Sequence, residues 1–188
     1  EKMTDKRTAI LEATLTLISE RGFHNTPMSL IAKASGVSAG IIYHYFANKE
    51  ALINELYKEI KLEFLRAMLV DYSEDLPLKE RFLSIWHNLV NYSLNYPARG
   101  VFLEQFENSP FRNHEMDEDV IQVTASFFQL FQQGVEEEVF TSLPPLVLFD
   151  LSFAPAIALV KRHLAGFVEM DDDLMQAAAI ACWKAITI

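Results

Sequence analysis

Apolar side chains recur three and four residues apart along nearly the whole chain, and no stretch alternates with period two for long. That spacing gathers them on one side of an α-helix and leaves no candidate strand, so the chain reads as all-α. In residues 4–22, Ile10, Ala13, Thr14, Leu17 and Ile18 form one stripe, and Gly22 follows where a helix-ending glycine belongs. The same reasoning predicts helices over residues 27–35, 39–45, 49–69, 78–95, 98–107, 115–138, 144–165 and 171–188, about nine in total. Thr26-Pro27 reads as the cap and first residue of the second, while Ser38 and Asn48 read as caps of the third and fourth. Short connections of this kind are what helical bundles use. With 188 residues, 51% of them apolar, the chain can bury one core or two small ones.

Several classes drop out early. The lone cysteine, Cys182, permits neither an internal disulfide framework nor a Cys-rich zinc site; it sits in an apolar run and reads as a buried thiol. The first twenty residues are charged and polar at helical spacing, which predicts no secretory leader. The most apolar run, 143–151, is broken by Asp150 and two prolines, so no membrane span is expected. The five histidines are scattered, and His44 has no His, Asp or Glu three or four residues on. No Gly-rich phosphate loop, nucleophile elbow or H-E-x-x-H occurs. No catalytic residue, metal ligand or cofactor is therefore assigned. The acidic runs 136–138 and 171–173 read as solvated helix ends.

The net charge of −10 argues at first against nucleic acid, but it is unevenly spread. Residues 1–49 hold six Lys/Arg against four Asp/Glu, and the rest hold ten against twenty-two. A mildly basic head on an acidic body can still meet DNA, because the local patch governs the encounter.

The stretch 22–49, GFHNTPMSLIAKASGVSAGIIYHYFANK, carries the case. Two short helices joined by a glycine-containing turn make a helix-turn-helix. Leu30, Ile31 and Ala34 can pack inward, Gly36 can take the positive φ of a sharp turn, and Val37 can plug the corner. Ser38, Ala39 and Gly40 keep the start of the second helix small, where the helix dipole favours phosphate. Tyr43, His44 and Tyr45 offer donors, Lys49 can hold a phosphate, and Phe46 reads as core.

This stretch resembles the DNA-binding motif of TetR-type transcriptional regulators. The likeness lies in Gly22-Phe23, Thr26, Ile31-Ala32, Gly36-Val37-Ser38, Gly40, Tyr43-His44-Tyr45-Phe46 and Lys49-Glu50, followed at once by a long helix. A weaker likeness lies at Arg162-His163-Leu164-Ala165-Gly166. The resemblance implies phosphate contacts from Thr26, Ser29 and Lys49. It also implies a major-groove set of Ser38, Ala39, Gly40, Ile41, Tyr43, His44 and Tyr45. Pro27 stands where a hydroxyl is common, and Ile41 where polar side chains often read a base; a thymine methyl is its natural partner.

The expected organisation is a DNA-binding head, 1–48, and a dimerisation and effector domain, 49–188. A dimer through the last two helices would use Leu148, Leu151, Ile157, Val160, Leu164, Met175, Ala178, Ile180 and Trp183. Trp86, Leu89, Val90, Phe102, Phe106, Phe127, Phe128 and Phe131 are bulkier than a thin helical layer needs. They are candidates to line a site for a small hydrophobic or aromatic effector. The expectation is a cytoplasmic bacterial repressor, on the nucleoid when bound to double-stranded operator DNA, with no membrane partner. A helical interaction module or a cofactor-free enzyme are the alternatives; neither requires the glycine turn or the Tyr-His-Tyr helix.

Overall fold

The computed structural model describes residues 2–112 and 117–188, with side chains from residue 6 onward. Nine helices are found among the described residues: α1 (Lys2–Arg21), α2 (Met28–Ser35), α3 (Ala39–Tyr45), α4 (Lys49–Met68), α5 (Leu78–Asn95), α6 (Pro97–Glu107), α7 (Glu118–Glu136), α8 (Pro145–Leu164) and α9 (Asp172–Ile186). The only pairing outside them, again among the described residues, is an isolated bridge between Phe140 and Thr187. The all-helical reading holds, with most ends within a residue or two. The expected start of the seventh helix at 115 lies outside the described residues, as does His114.

Local chemistry explains the ends. Asn48 Oδ1 accepts from Ala51 N at 2.8 Å and Asp171 Oδ1 from Leu174 N at 2.8 Å, so each carboxamide or carboxylate satisfies an orphan donor of the helix it opens. One expectation is corrected here. Thr26 does not cap α2: the cap position is Pro27, and the Thr26 hydroxyl turns back to donate to Gly22 O at 2.9 Å.

Packing divides the chain into two units, Glu1–Lys61 with Tyr96–Asp117, and Leu62–Asn95 with Glu118–Ile188. In the first, α1 contacts both α2 and α6. Ile10, Ile18, Ile31, Ile42, Leu52 and Phe102 are buried together. α6 is held there by aromatic and polar contacts alike. Tyr57 stacks on Phe106 with centroids 3.9 Å apart, its hydroxyl donates to Glu107 at 3.1 Å, and Phe23 meets Phe102 at 6.0 Å. Burial and the Glu107 carboxylate both push the Tyr57 phenol above its ordinary range.

In the second unit α5 packs on α8 and α9, and α8 on α7. Phe82, Trp86, Phe127, Phe131, Phe140 and Phe153 fill its centre. Gly134 on α7 makes room for the Phe140 ring: a Cβ there would stand 2.0 Å from Phe140 Cδ2. Leu148 and Val160 are buried in this core, so these two of the expected dimer residues face inward. Leu151, Ile157 and Leu164 are exposed, and Met175, Ala178, Ile180 and Trp183 are half-buried. No described helix is long and apolar enough to cross a membrane.

Candidate nucleic-acid interface

α2, the Gly36 turn and α3 form the candidate surface. Gly36 has φ of 68°, a left-handed conformation that lets the chain reverse within four residues, and its N–H bonds Ala32 O. Val37 is buried at the corner. Ser38 then opens α3, its hydroxyl accepting from Ile41 N. Seven residues cannot hold a helix in water unaided. α3 is held because Ile42 is wholly buried and Phe46, just past its end, is 5% exposed.

Anchoring Ile42 inward decides what faces outward. Ala39, Gly40, Tyr43 and His44 are exposed, as are Ser29 and Ser38. Ile41 and Tyr45 are half-buried and lean on the unit's core, so they flank the outward face rather than form its crest. Thr26 is 0% exposed with its hydroxyl already bonded, which removes the expected phosphate contact by that side chain. Lys49 is half-buried, and its Nζ donates to Phe23 O at 2.5 Å. Burial lowers its pKa, and one of its three N–H directions is spent on that carbonyl. Another head cation is also committed internally: Arg7 bridges Glu55 at 2.7 Å and Glu59 at 2.5 Å. Lys33 on α2 stays exposed and was not singled out from the sequence; its place on the turn-facing helix is the signal that marks it.

Two matches bear on this geometry. The family described as bacterial regulatory proteins, tetR family, matches residues 10–56, and the one described as tetracyclin repressor-like, C-terminal domain, matches residues 77–187. This chain belongs to the TetR family. It is a helix-turn-helix transcriptional regulator, not an enzyme. An HTH-type transcriptional regulator of Haemophilus influenzae, itself uncharacterised, is 26% identical over 97% of this chain and 96% of its own. A TetR-family transcription regulator from Marinobacter aquaeolei superposes with a TM-score of 0.92 at 28% identity, covering 98% of this chain and 96% of that one. A TetR-family protein from Vibrio parahaemolyticus gives 0.85 at 36%, covering 97% and 99%.

The expected effector residues do not all come together. Trp86, Leu89, Val90, Phe127 and Phe131 share the core of the second unit. Phe102 and Phe106 belong to the core of the first, where α6 lies on α1. Phe128 is half-buried on α7. A shallow open hollow of about 360 Å³ lies elsewhere, between α1 and α2, lined by Ala9, Glu12, Ala13, Thr16, Leu17, Ala34 and Ser35.

Proposed function

We propose that this TetR-family regulator is a ligand-responsive repressor, a homodimer that occupies a two-fold-symmetric operator through α3 and releases it when a small hydrophobic or aromatic effector binds. The supporting observation is the outward face of α3, with Ala39, Gly40, Tyr43 and His44 exposed opposite a wholly buried Ile42. Small residues at a helix start let backbone approach DNA, and Tyr43 and His44 bring donors to base edges. Ser29, Ser38 and Lys49 serve the phosphates, with Ile41 and Tyr45 at the margin. In this reading residues 1–48 read DNA in the bacterial cytoplasm, and residues 49–188 dimerise and take the effector.

Dimerisation is supported by the apolar surface of α8, where Leu146, Leu151, Ile157 and Leu164 are exposed. Two helices from each copy then make a four-helix contact. Effector binding is placed among Trp86, Leu89, Val90, Phe127, Phe128 and Phe131. α4 is the route of communication, since residues 49–61 belong to the first unit and 62–68 to the second. Two reading heads must sit about one helical turn, ~34–36 Å, apart, so a small shift of α4 spoils docking of both.

The experiment selects binding sites from a random duplex pool and follows them by fluorescence anisotropy. The selected sites should be palindromic, and Tyr43→Ala and His44→Ala should each weaken binding about tenfold, ~1.4 kcal/mol. Parent-like binding by both folded variants, or a monomer by sedimentation at micromolar concentration, overturns the reading.

A further inference from the structure

We propose that the effector carries a carboxylate and that Arg81 receives it, an inference that rests on the effector reading above. Arg81 lies near the start of α5 and is 3% exposed. Its Nη1 donates to Gln133 Oε1 at 2.8 Å and its Nε to the Tyr72 hydroxyl at 3.1 Å; Nη2 donates to that hydroxyl too. Its guanidinium also stands 5.1 Å from the Tyr72 ring centroid. Every one of these partners is uncharged. The acid tied to the set, Glu137, is exposed and meets only the Gln133 amide, at 2.7 Å.

A guanidinium stays protonated at any physiological pH, and a buried cation without a counter-charge is costly to keep. The first turn of a helix makes it costlier, because the dipole there is already positive. The bonds above use three of five N–H donors, one on each nitrogen, which leaves the guanidinium capacity for two more. Such a group is a standing demand for an anion.

Its surroundings define the rest of that anion. Phe82, Ile85, Trp86 and Leu89 follow Arg81 along α5, while Phe127 and Phe131 precede Gln133 along α7, all buried in one apolar cluster. From Arg81 to Leu89 the helix rises ~12 Å. A cation at one end of an aromatic-lined run fits an amphiphile: a carboxylate head on an aliphatic or aryl chain. The head takes the Nη1 side now held by the Gln133 oxygen, forming the paired bonds that guanidinium and carboxylate prefer. Arg81 also stands where the stripe Leu78, Phe82, Ile85, Leu89 calls for an apolar side chain. A purely structural arginine, tying Tyr72 to Gln133, needs no such ligand and shows no preference for charge.

The test compares decanoate with decanamide, and 4-phenylbutyrate with 4-phenylbutyramide, by isothermal titration of the full-length protein. Each carboxylate should bind at least about tenfold more tightly than its amide. Arg81→Met should erase that preference while leaving amide affinity in place, and Gln133→Met should strengthen carboxylate binding by removing the competing oxygen. Equal affinity of acid and amide for the parent protein overturns the proposal whether or not a variant folds. So does absence of binding by both acids, or a preference that survives in Arg81→Met. Operator anisotropy in the same mixtures separates the two readings. If amides release the operator as well as acids do, the carboxylate inference falls and the repressor reading stands. If acids bind tightly and leave the operator untouched, the site stands and ligand-controlled repression falls.

Discussion

The two cores treat their polar groups differently. Among the described residues of the first unit the buried polar ones are Thr14 and Thr26, and each hydroxyl is satisfied four residues back, by Ile10 O at 2.7 Å and Gly22 O at 2.9 Å. In the second unit Ser152 does the same, but Arg81 is buried among neutral partners. The indole N–H of Trp86 is buried with no hydrogen-bond partner among the described residues. An unmet buried donor costs ~1–3 kcal/mol. The first core holds a surface, the outward face of α3, although it too encloses polar groups, among them Arg99 Nε. The second keeps polar capacity inside, where only something entering the core can use it.

If the two cores are energetically independent, they can be broken one at a time. Phe106→Ala and Phe131→Ala should each cost ~3–5 kcal/mol, the usual effect of emptying a buried aromatic site. Both tryptophans, Trp86 and Trp183, lie in the second unit. Phe131→Ala should therefore lower the unfolding midpoint seen by tryptophan fluorescence and by circular dichroism together. Phe106→Ala should lower the dichroism midpoint further than the fluorescence one, and should weaken operator binding more than effector binding. Identical shifts by both probes for both variants would mean that the units unfold as one body.

A smaller effect is expected from filling rather than emptying. Gly134→Ala puts a methyl group where the Phe140 ring lies, and that ring is 1% exposed between Phe131 at 6.1 Å and Trp183 at 5.2 Å. Overpacking of this kind costs ~1–3 kcal/mol. The strain falls beside Trp183, so its emission should shift while operator affinity, measured well below the unfolding temperature, stays as in the parent. A loss of operator binding without a change in emission would show that the α7 end is coupled to the head and not to its own core.

What could be read from the sequence divides along the same line. The bounds of α3 were legible because Gly36, Ser38 and Ile42 each act within four residues: a turn, a cap and an anchor. Thr26 misled because a Thr-Pro pair has the composition of a cap, and spacing alone cannot say whether a hydroxyl points out or back to Gly22 O. Phe102 and Phe106 fall apart from the other expected effector residues for a longer-range reason. Periodicity shows that α6 has an apolar face but not that α1, far away in sequence, covers it. Leu148 and Val160 failed in the same way, since a helix apolar on several sides does not declare which side meets its own core. Arg81 was legible in principle, as a charge inside an apolar stripe. It escaped notice because one arginine in the first turns of a helix ordinarily reads as solvated.

The smallest expected effect bears on where the first unit ends as a scaffold and begins as a reader. Lys49 serves the scaffold through its bond to Phe23 O at 2.5 Å, which ties the start of α4 to the loop after α1. An ammonium has two further donors, and α4 begins one short turn beyond α3. If one of those donors reaches a phosphate, Lys49→Met should flatten the dependence of log affinity on log salt by roughly 0.9 per protomer, whatever the operator sequence. If the ammonium is wholly spent on the carbonyl, the slope stays as in the parent and only the melting temperature falls. The pH dependence supplies a second check. Burial lowers the pKa of this lysine, so as pH rises it loses its charge before a fully solvated lysine would. The affinity gap between parent and Lys49→Met should therefore be full at neutral pH and close as the solution turns alkaline. A Lys49 gap that stays constant through the alkaline range, or a slope unchanged by the substitution, would assign this side chain to the scaffold alone.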